Sequence, residues 1–521
     1  MTTTDALTTA PEHRHGLGRA VVAGLRSAGA RDVLVSGTRR LSGHAVLALA
    51  AAGAHTLTAR GVRPGDTVAC LYDGARPESA VGRVATLLLG CAFLHICPET
   101  PTETAAGAMR ALGASVLLYE PSREAEARAL LAEYPAPVVH PLAQGTEAPD
   151  GLFASDVRQP VVLDPPDPDA TGLVVFSSGT AGERKAVAYS HRAEATQAAT
   201  ARALFGPGPW RFLVTPAPRY LPDLVAWWTL ASGGTVHLQA DRDPEQVAAK
   251  VRRERITHLL AGRPIDLYAL AEHLQASGDR LDTLRLAAYG GAAPVPARTE
   301  QALDRLGPVL TQSYGTSEAG FLTALSPAEH VRPDLLGSAG RAVPGVRLSV
   351  RDEDGTALPT GEVGEIWIRS PQRMRGYVGG PARTADVLRD GWLRTGDLGR
   401  LDGEGFLFLV DRVEDRLPGG IHSHPIEHAL ARHPAVVEAA VFALPCSGEP
   451  LLAGVVVGRD GHRPDPRDLR LLVREALGRH CEPKQLWLVD RIPRTPAGKP
   501  DKAALRARYR SGARSDDPAT A

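Results

Sequence analysis

Lysine is nearly missing from this sequence: Lys185, Lys250, Lys484, Lys499 and Lys502 are the only five, against 54 arginines. Such a bias reflects a GC-rich genome, so each surviving lysine is a candidate for a role that a planar guanidinium cannot fill. Lys185 and Lys499 are the first to inspect. Cysteine is scarce as well. Cys70, Cys91, Cys97, Cys446 and Cys481 are odd in number, widely spread and never form a C-x-x-C pair, which argues against a disulfide framework or zinc site and reads as reduced cytosolic thiols. No run of eighteen uninterrupted apolar residues exists to suggest a membrane span, and the opening MTTTDALTTAPEHRHG lacks the charged-then-apolar pattern of a secretory signal. A cytoplasmic, soluble protein is expected. Net charge is missing too: Lys+Arg and Asp+Glu are equal at 59 each. That balance argues against a broad basic face for nucleic acid or an anionic membrane, and leaves small molecules as the expected partners.

What is present begins with length. A chain of 521 residues exceeds what one hydrophobic core sustains, so at least two domains are expected. Strand-like runs at Thr67–Leu71, Ser115–Tyr119, Arg211–Thr215, Thr235–Leu238, His258–Ala261 and Leu284–Tyr289 alternate with Ala/Leu-rich helical stretches, the pattern of an α/β layer fold. After about residue 335 Gly and Pro become frequent, and short runs such as Gly364–Arg369 and Gly405–Val410 predict a small antiparallel β subdomain. Beyond Asp411, helix-like Pro425–Arg432 and Asp468–Arg479 and strand-like Val436–Leu444 and Leu452–Val457 predict a separate α+β domain. The expected organisation is a core over 1–411 and a second domain over 412–521. Residues 1–14 and 511–521, small and polar, are expected to fray.

Chemistry concentrates in Gly172–His191, where an apolar strand runs into a Ser/Gly/Thr-rich turn ending at Lys185. Backbone N–H groups of such a turn converge on phosphate oxygens, hydroxyls donate to them, and a lysine adds charge. One charge pair about 4 Å apart contributes roughly 4 kcal/mol at an effective dielectric near 20, before desolvation. This is not a Walker loop, since Ala186 follows the lysine where Ser or Thr is required. A plain surface loop shares this composition, and three later segments weigh against it. Gln312–Glu318 (QSYGTSE) gathers an aromatic ring, hydroxyls and a carboxylate on one turn. Leu393–Asp397 (LRTGD) offers a carboxylate suited to ribose hydroxyls. Ile492–Lys502 (IPRTPAGKPDK) presents a lysine on a constrained loop.

In order and spacing these segments resemble the adenylate-forming superfamily of acyl-CoA synthetases, stand-alone adenylation domains and firefly luciferase, over roughly residues 30–505. The resemblance implies a layered N-terminal core and a small mobile C-terminal domain, with ATP and Mg²⁺ as cofactors and CoA as a possible further one. It implies that Ser177, Ser178, Gly179, Thr180, Gly182 and Lys185 hold the β- and γ-phosphates. Tyr314 would stack on adenine beside Gly315, Ser317 would touch the α-phosphate and Glu318 would bind Mg²⁺. Gly290, Gly291 and Ala292 of Gly290–Pro294 (GGAAP) would line the adenine edge and the acid pocket. Asp397 and Arg412 would hold the ribose, Lys499 would meet the forming acyl-phosphate bond, and Glu414 would be the hinge between two domain orientations.

The pattern departs from the family in three places. Leu417–Glu427 (LPGGIHSHPIE) is one residue shorter than usual and lacks a lysine, so the resemblance extends further for adenylation than for CoA transfer. Arg184 and Ala186 replace the usual Pro and Gly, and Arg184 either adds a cation to the triphosphate or faces solvent. Arg219, in Thr215–Leu224, stands where a histidine or aromatic residue is common, and either binds an anionic group or forms a structural ion pair. Tyr220, Ser313, Trp227 and Trp228 are further pocket candidates, core packing being the stronger reading for the tryptophans. His422, His424 and His428 match no zinc spacing and read as solvent-facing or capping.

Two functions share this chemistry. The leading one is an acid:CoA ligase of secondary metabolism. The other passes the activated acid to a nitrogen nucleophile or a carrier protein, or activates nitrite to diazotise an arylamine.

Overall fold

The structure is a computed structural model that describes residues 11–72, 76–142, 151–153, 166–177, 184–215, 220–445, 450–459, 462–495 and 499–510. Two large sheets dominate the N-terminal part. The first runs, edge to edge, through Arg341–Ala342, Gly320–Leu325, Leu310–Thr316, Leu286–Gly290, His258–Gly262, Arg211–Val214, Thr235–Leu238, Asp32–Ser36 and Arg39–Ser42. Its six central strands, from Leu310–Thr316 to Asp32–Ser36, are mutually parallel. The second runs through Gly376–Tyr377, Ala186–Ser190, Thr171–Phe176, Ala92–Ile96, Thr67–Leu71, Val116–Tyr119 and Val138–Pro141.

Both sheets read as continuous apolar runs because both faces are covered, as parallel strands require. Thr67–Leu71 and Ala92–Ile96 are buried at every position. The largest buried cluster joins Leu34 and Val236 of the first sheet, Val68 and Phe93 of the second, and Leu17, Val21, Val46 and Val84 of intervening helices. Those helices form a layer that both sheets share. Trp227 and Trp228 are buried within this cluster, the packing role expected of them.

The Gly-rich stretch forms the expected antiparallel subdomain, in which Arg347–Arg351, Gly364–Arg369, Trp392–Leu401 and Leu407–Arg412 pair in succession. The C-terminal unit places Val436–Leu444, Leu451–Gly458 and Gln485–Leu488 in one sheet. Strand periodicity sorts its side chains. Ala439 and Val441 pack under Ile426, Leu430, Leu469 and Val473 of two helices, whereas Ala440 and Phe442 face Leu505 and Tyr509 of a third. This unit therefore has apolar layers on both faces of its own sheet.

One expectation about the termini needs correction. Pro11–Arg14 belong to the helix Pro11–Ala28, ahead of non-helical Gly16; beyond that break Leu17, Val21, Val22 and Leu25 supply an apolar stripe for the shared core. Residues 1–10 and 511–521 lie outside the described residues. Among the described residues, Cys70, Cys91, Cys97 and Cys481 form no disulfide, and no helix among the described residues is long and apolar enough to cross a membrane.

Candidate active site

Parallel strands deliver their carboxyl ends to one edge of the sheet, where ligands of open α/β sheets bind. Leu286–Gly290 and Leu310–Thr316 are adjacent parallel strands with Gly290 in register opposite Ser313. A Cβ on Gly290 would lie 2.2 Å from the Ser313 carbonyl oxygen, so only glycine permits this approach. Gly291 then takes φ +76°, turning the chain away. Gly315 has the same constraint: its Cβ would meet the Gly320 carbonyl oxygen at 2.1 Å, which keeps the Thr316–Ala319 turn tight. This turn carries Ser317 and Glu318. The Tyr189 hydroxyl donates to the Ser317 carbonyl, and the Met374 N–H donates to the Glu318 carbonyl at 2.7 Å.

Asp397 and Arg412 are cross-strand neighbours in the antiparallel subdomain. Arg412 Nε donates to Asp397 Oδ1 at 2.9 Å and the Tyr314 hydroxyl donates to Asp397 Oδ2 at 2.7 Å. Burial, then the Asp397 charge, raises the Tyr314 phenol well above its usual value, so it remains a donor. Burial works against the Arg412 cation, but Asp397 outweighs it and the guanidinium is held more firmly than usual.

Lys499, Tyr314, Asp397, Arg412, Gly291 and Ala292 line one cavity of about 200 Å³ between the core and the C-terminal unit. Burial pulls the Lys499 ammonium below the ordinary lysine value, with Arg412 adding to the shift while Asp397, Glu318 and Glu414 oppose it. Side-chain contacts also join the core to the C-terminal unit. Arg298, on the helix Pro296–Leu306, donates to the Val437 carbonyl at 3.0 Å and to Glu272 at 2.8 Å. Arg459 of the C-terminal unit reaches the same Glu272 oxygen at 3.1 Å.

At the other end of the site, Ser177 and Lys185 close the base of the glycine-rich turn. Ser177 N–H donates to the Lys185 carbonyl at 2.8 Å, and Lys185 N–H donates to Ser177 Oγ at 3.1 Å. Lys185 Nζ lies 5.1 Å from the centre of the Tyr377 ring, and the Tyr377 hydroxyl donates to Glu318 Oε1 at 3.0 Å. Ser178, Gly179, Thr180, Gly182 and Arg219 lie outside the described residues, as does the side chain of Tyr220, which opens the helix Tyr220–Ala231.

Arg184 does not face solvent. Its side chain is 9% exposed and stands 3.8 Å from Glu99, a carboxylate distant in sequence that compensates its charge. Of the three histidines, His422 occupies the N-cap position of the helix Ser423–Ala431 without a side-chain capping bond. His428 is backed by the Pro294 carbonyl and pulled down to about 4, chiefly by burial, because its helix docks on the core. No group of three or more His, Cys, Asp or Glu suited to a metal occurs among the described residues.

Sequence reading missed several contributors. Tyr377 sits in Gly376–Tyr377, too short a strand to show periodicity. Arg298 and Glu272 look like ordinary surface charges on helices. Lys502 had a signal in the scarcity of lysine. Its Nζ donates to Ser423 Oγ at 2.6 Å and pairs with Glu427 at 3.2 Å, while Ser423 N–H and Oγ donate to Asp411 at 2.9 and 3.0 Å.

Residues 23–378 match the AMP-binding enzyme family, and residues 425–499 match the AMP-binding enzyme C-terminal domain. A feruloyl-CoA synthase from an Amycolatopsis species is 34% identical over 88% of this chain and 91% of its own length. A medium/long-chain-fatty-acid–CoA ligase, FadD8, from Mycobacterium tuberculosis is also 34% identical, over 68% of this chain and 64% of that relative, less than two thirds of its length. Among solved structures, the amide bond synthetase McbA from Marinactinospora thermotolerans matches with a TM-score of 0.87 and 38% identity, covering 96% of this chain and 100% of that one. The chain thus belongs to the adenylate-forming superfamily of AMP-binding enzymes and is an AMP-forming ligase, activating an acid with ATP before transferring it.

Proposed function

We propose that this ligase adenylates a small carboxylic acid and passes the acyl group to an amine. The observation that carries the adenylation step is the convergence of Lys499, Tyr314, Asp397 and Arg412 on one cavity. In this reading Asp397 receives the ribose hydroxyls and the Tyr314 ring packs on adenine. Lys185 and the Ser177–Lys185 turn take the β- and γ-phosphates, and Ser317 approaches the α-phosphate. The acid lies beside Gly290 and Ser313. Its carboxylate oxygen attacks the α-phosphorus, the bond to the bridging oxygen of pyrophosphate breaks, and Lys499 faces the charge that accumulates between them.

Glu318 suits Mg²⁺ in donor type. It is a hard carboxylate oxygen donor, which fits an ion that binds through one or two carboxylates, substrate phosphates and water. When bound, Mg²⁺ would neutralise phosphate charge. The chain's own share is to hold Glu318 on the tight Thr316–Ala319 turn.

The domain over 412–521 would then swing about Glu414, carrying Lys499 away before the acceptor arrives. Glu414 is 47% exposed and accepts from Arg412 at 3.1 Å, a contact that a rotation can exchange for water. An amine acceptor is favoured over CoA by the Leu417–Glu427 segment. It carries no lysine, and Ser423 and Glu427 within it are tied to Asp411 and Lys502. Similarity to an amide bond synthetase along nearly the whole chain supports the same choice. The relationship to feruloyl-CoA synthase supports CoA as the second reading.

Pyrophosphate release across aryl and acyl acids and nitrite, each with CoA, amines or a carrier protein, tests this with mass spectrometry of the products. Amides are the expected products. Thioesters alone would transfer the assignment to CoA, and turnover only with nitrite and an arylamine would replace the acid class. Asp397→Asn is expected to raise the ATP KM about 10-fold or more, the effect of weakening hydrogen bonds to a charged group. Steady-state kinetics at saturating acid check this, and an unchanged KM would remove Asp397 from the nucleotide site.

A further inference from the structure

Tyr377 belongs to neither the phosphate turn nor the Glu318 turn, yet it touches a charged residue from each. The short strand Gly376–Tyr377 adds antiparallel to the edge of Ala186–Ser190, with Tyr377 opposite Val187. Arg375 N–H donates to the Ala188 carbonyl at 2.7 Å and Val378 N–H to the Ala186 carbonyl at 2.9 Å, so the register is held on both sides. Met374, three residues earlier, ties the same segment to the Glu318 carbonyl. Backbone bonds therefore aim the ring from two directions, and Tyr377 is only 9% exposed.

The ring face takes the Lys185 ammonium at 5.1 Å and the hydroxyl takes Glu318 Oε1 at 3.0 Å. A π face attracts a cation without consuming a carboxylate, and a phenol that donates one hydrogen bond occupies one carboxylate oxygen.

We propose that Tyr377 is a positioning residue for adenylation: it holds Lys185 and Glu318 apart and correctly oriented, so that the lysine meets phosphate and the carboxylate meets the divalent ion. This rests on the function proposed above and assigns a role to a residue outside the motifs that suggested it. The ring and the hydroxyl do separable work. Tyr377→Phe keeps the cation site and loses the tether on Glu318. Tyr377→Leu loses both.

The test is Mn²⁺ binding read by electron paramagnetic resonance, with the non-hydrolysable α,β-methylene analogue of ATP present. Thermal melting confirms folding of each variant. Tyr377→Phe is expected to weaken Mn²⁺ about 10-fold, as loss of a partner behind a metal-binding carboxylate does. Tyr377→Leu should additionally weaken the analogue itself. In a Glu318→Gln background, Tyr377→Phe should add less than about twofold, since contributions through one shared partner are not additive. Unchanged Mn²⁺ affinity in a folded Tyr377→Phe protein would overturn the inference and leave the adenylation reading standing. Equal losses in both backgrounds would do the same. A parent protein that binds no Mn²⁺–analogue complex would overturn both.

Discussion

Lys499→Ala is expected to lower the rate of acyl-adenylate formation by about 10²–10³, the effect of removing one preorganised charge from a transition state that accumulates negative charge. Transfer from a preformed acyl-adenylate should change far less, because the proposed rotation withdraws this lysine before the acceptor arrives. Single-turnover pyrophosphate release and acyl transfer, measured separately, distinguish the two steps. Equal losses in both would show that Lys499 acts through folding or domain docking. The pH dependence follows from the shift. Burial lowers the Lys499 value in the free enzyme, and the protonated form is the active one. Activity is therefore present below the lowered value and lost as pH rises through it. The alkaline limb of kcat/KM for ATP should lie below the ordinary lysine range, since that parameter reports free-enzyme groups. It should move upward in Lys499→Arg if that variant retains measurable turnover.

The second large effect concerns stability. Arg83 and Glu194 form an ion pair at 2.5 Å with both side chains 0% exposed. The Arg83 guanidinium lies 5.0 Å from the ring centres of both Phe93 and Trp227. His191 stands 3.8 Å from the other Glu194 oxygen and is pulled down to about 4, by burial first and then by Arg83. Glu194 thus balances a buried cation in the helical layer shared by the two sheets. Arg83→Met removes the guanidinium paired with the buried Glu194 carboxylate, which should destabilise the core by about 3–5 kcal/mol, whereas replacing both residues by apolar ones should be far milder. Denaturant midpoints of the single and double variants measure the difference. If both lose the same stability, packing of the guanidinium between the rings matters more than the charge pair.

This pair also shows where sequence reading stops. Neither Arg83 nor Glu194 lies in a motif, and 111 residues separate them. The strands were readable because apolar runs shorter than a typical helix, bounded by turn residues, favour strand over helix. Val436–Leu444 and Gly364–Arg369 occur with the expected limits, while Gly405–Val410 is displaced to Leu407–Arg412. A register in which Asp397 faces Arg412 depends on backbone pairing, so their contact emerges only on folding.

The surviving lysines divide along the same line. Their scarcity in the sequence singles out Lys185 and Lys499; Lys499 lines the cavity, and Lys185 lies beside the Tyr377 ring. Lys250 and Lys502 survive in different settings: Lys250 donates to the Leu238 carbonyl at 3.0 Å, and Lys502 to Ser423 and Glu427. Composition distinguishes a rare residue but not its neighbours.

By itself, the amino-acid order determined the family, the α/β layering and the activating chemistry. Those properties rest on local patterns: apolar runs that become strands, glycines where two backbones nearly touch, and hydroxyls clustered on a turn. Tertiary structure alone decided that Arg184 faces Glu99, that Tyr377 stands between Lys185 and Glu318, and that Arg298 and Arg459 meet on Glu272. Each of these contacts joins segments remote in the chain. Charge and ring interactions act over a few ångströms of space, and sequence distance does not measure that space.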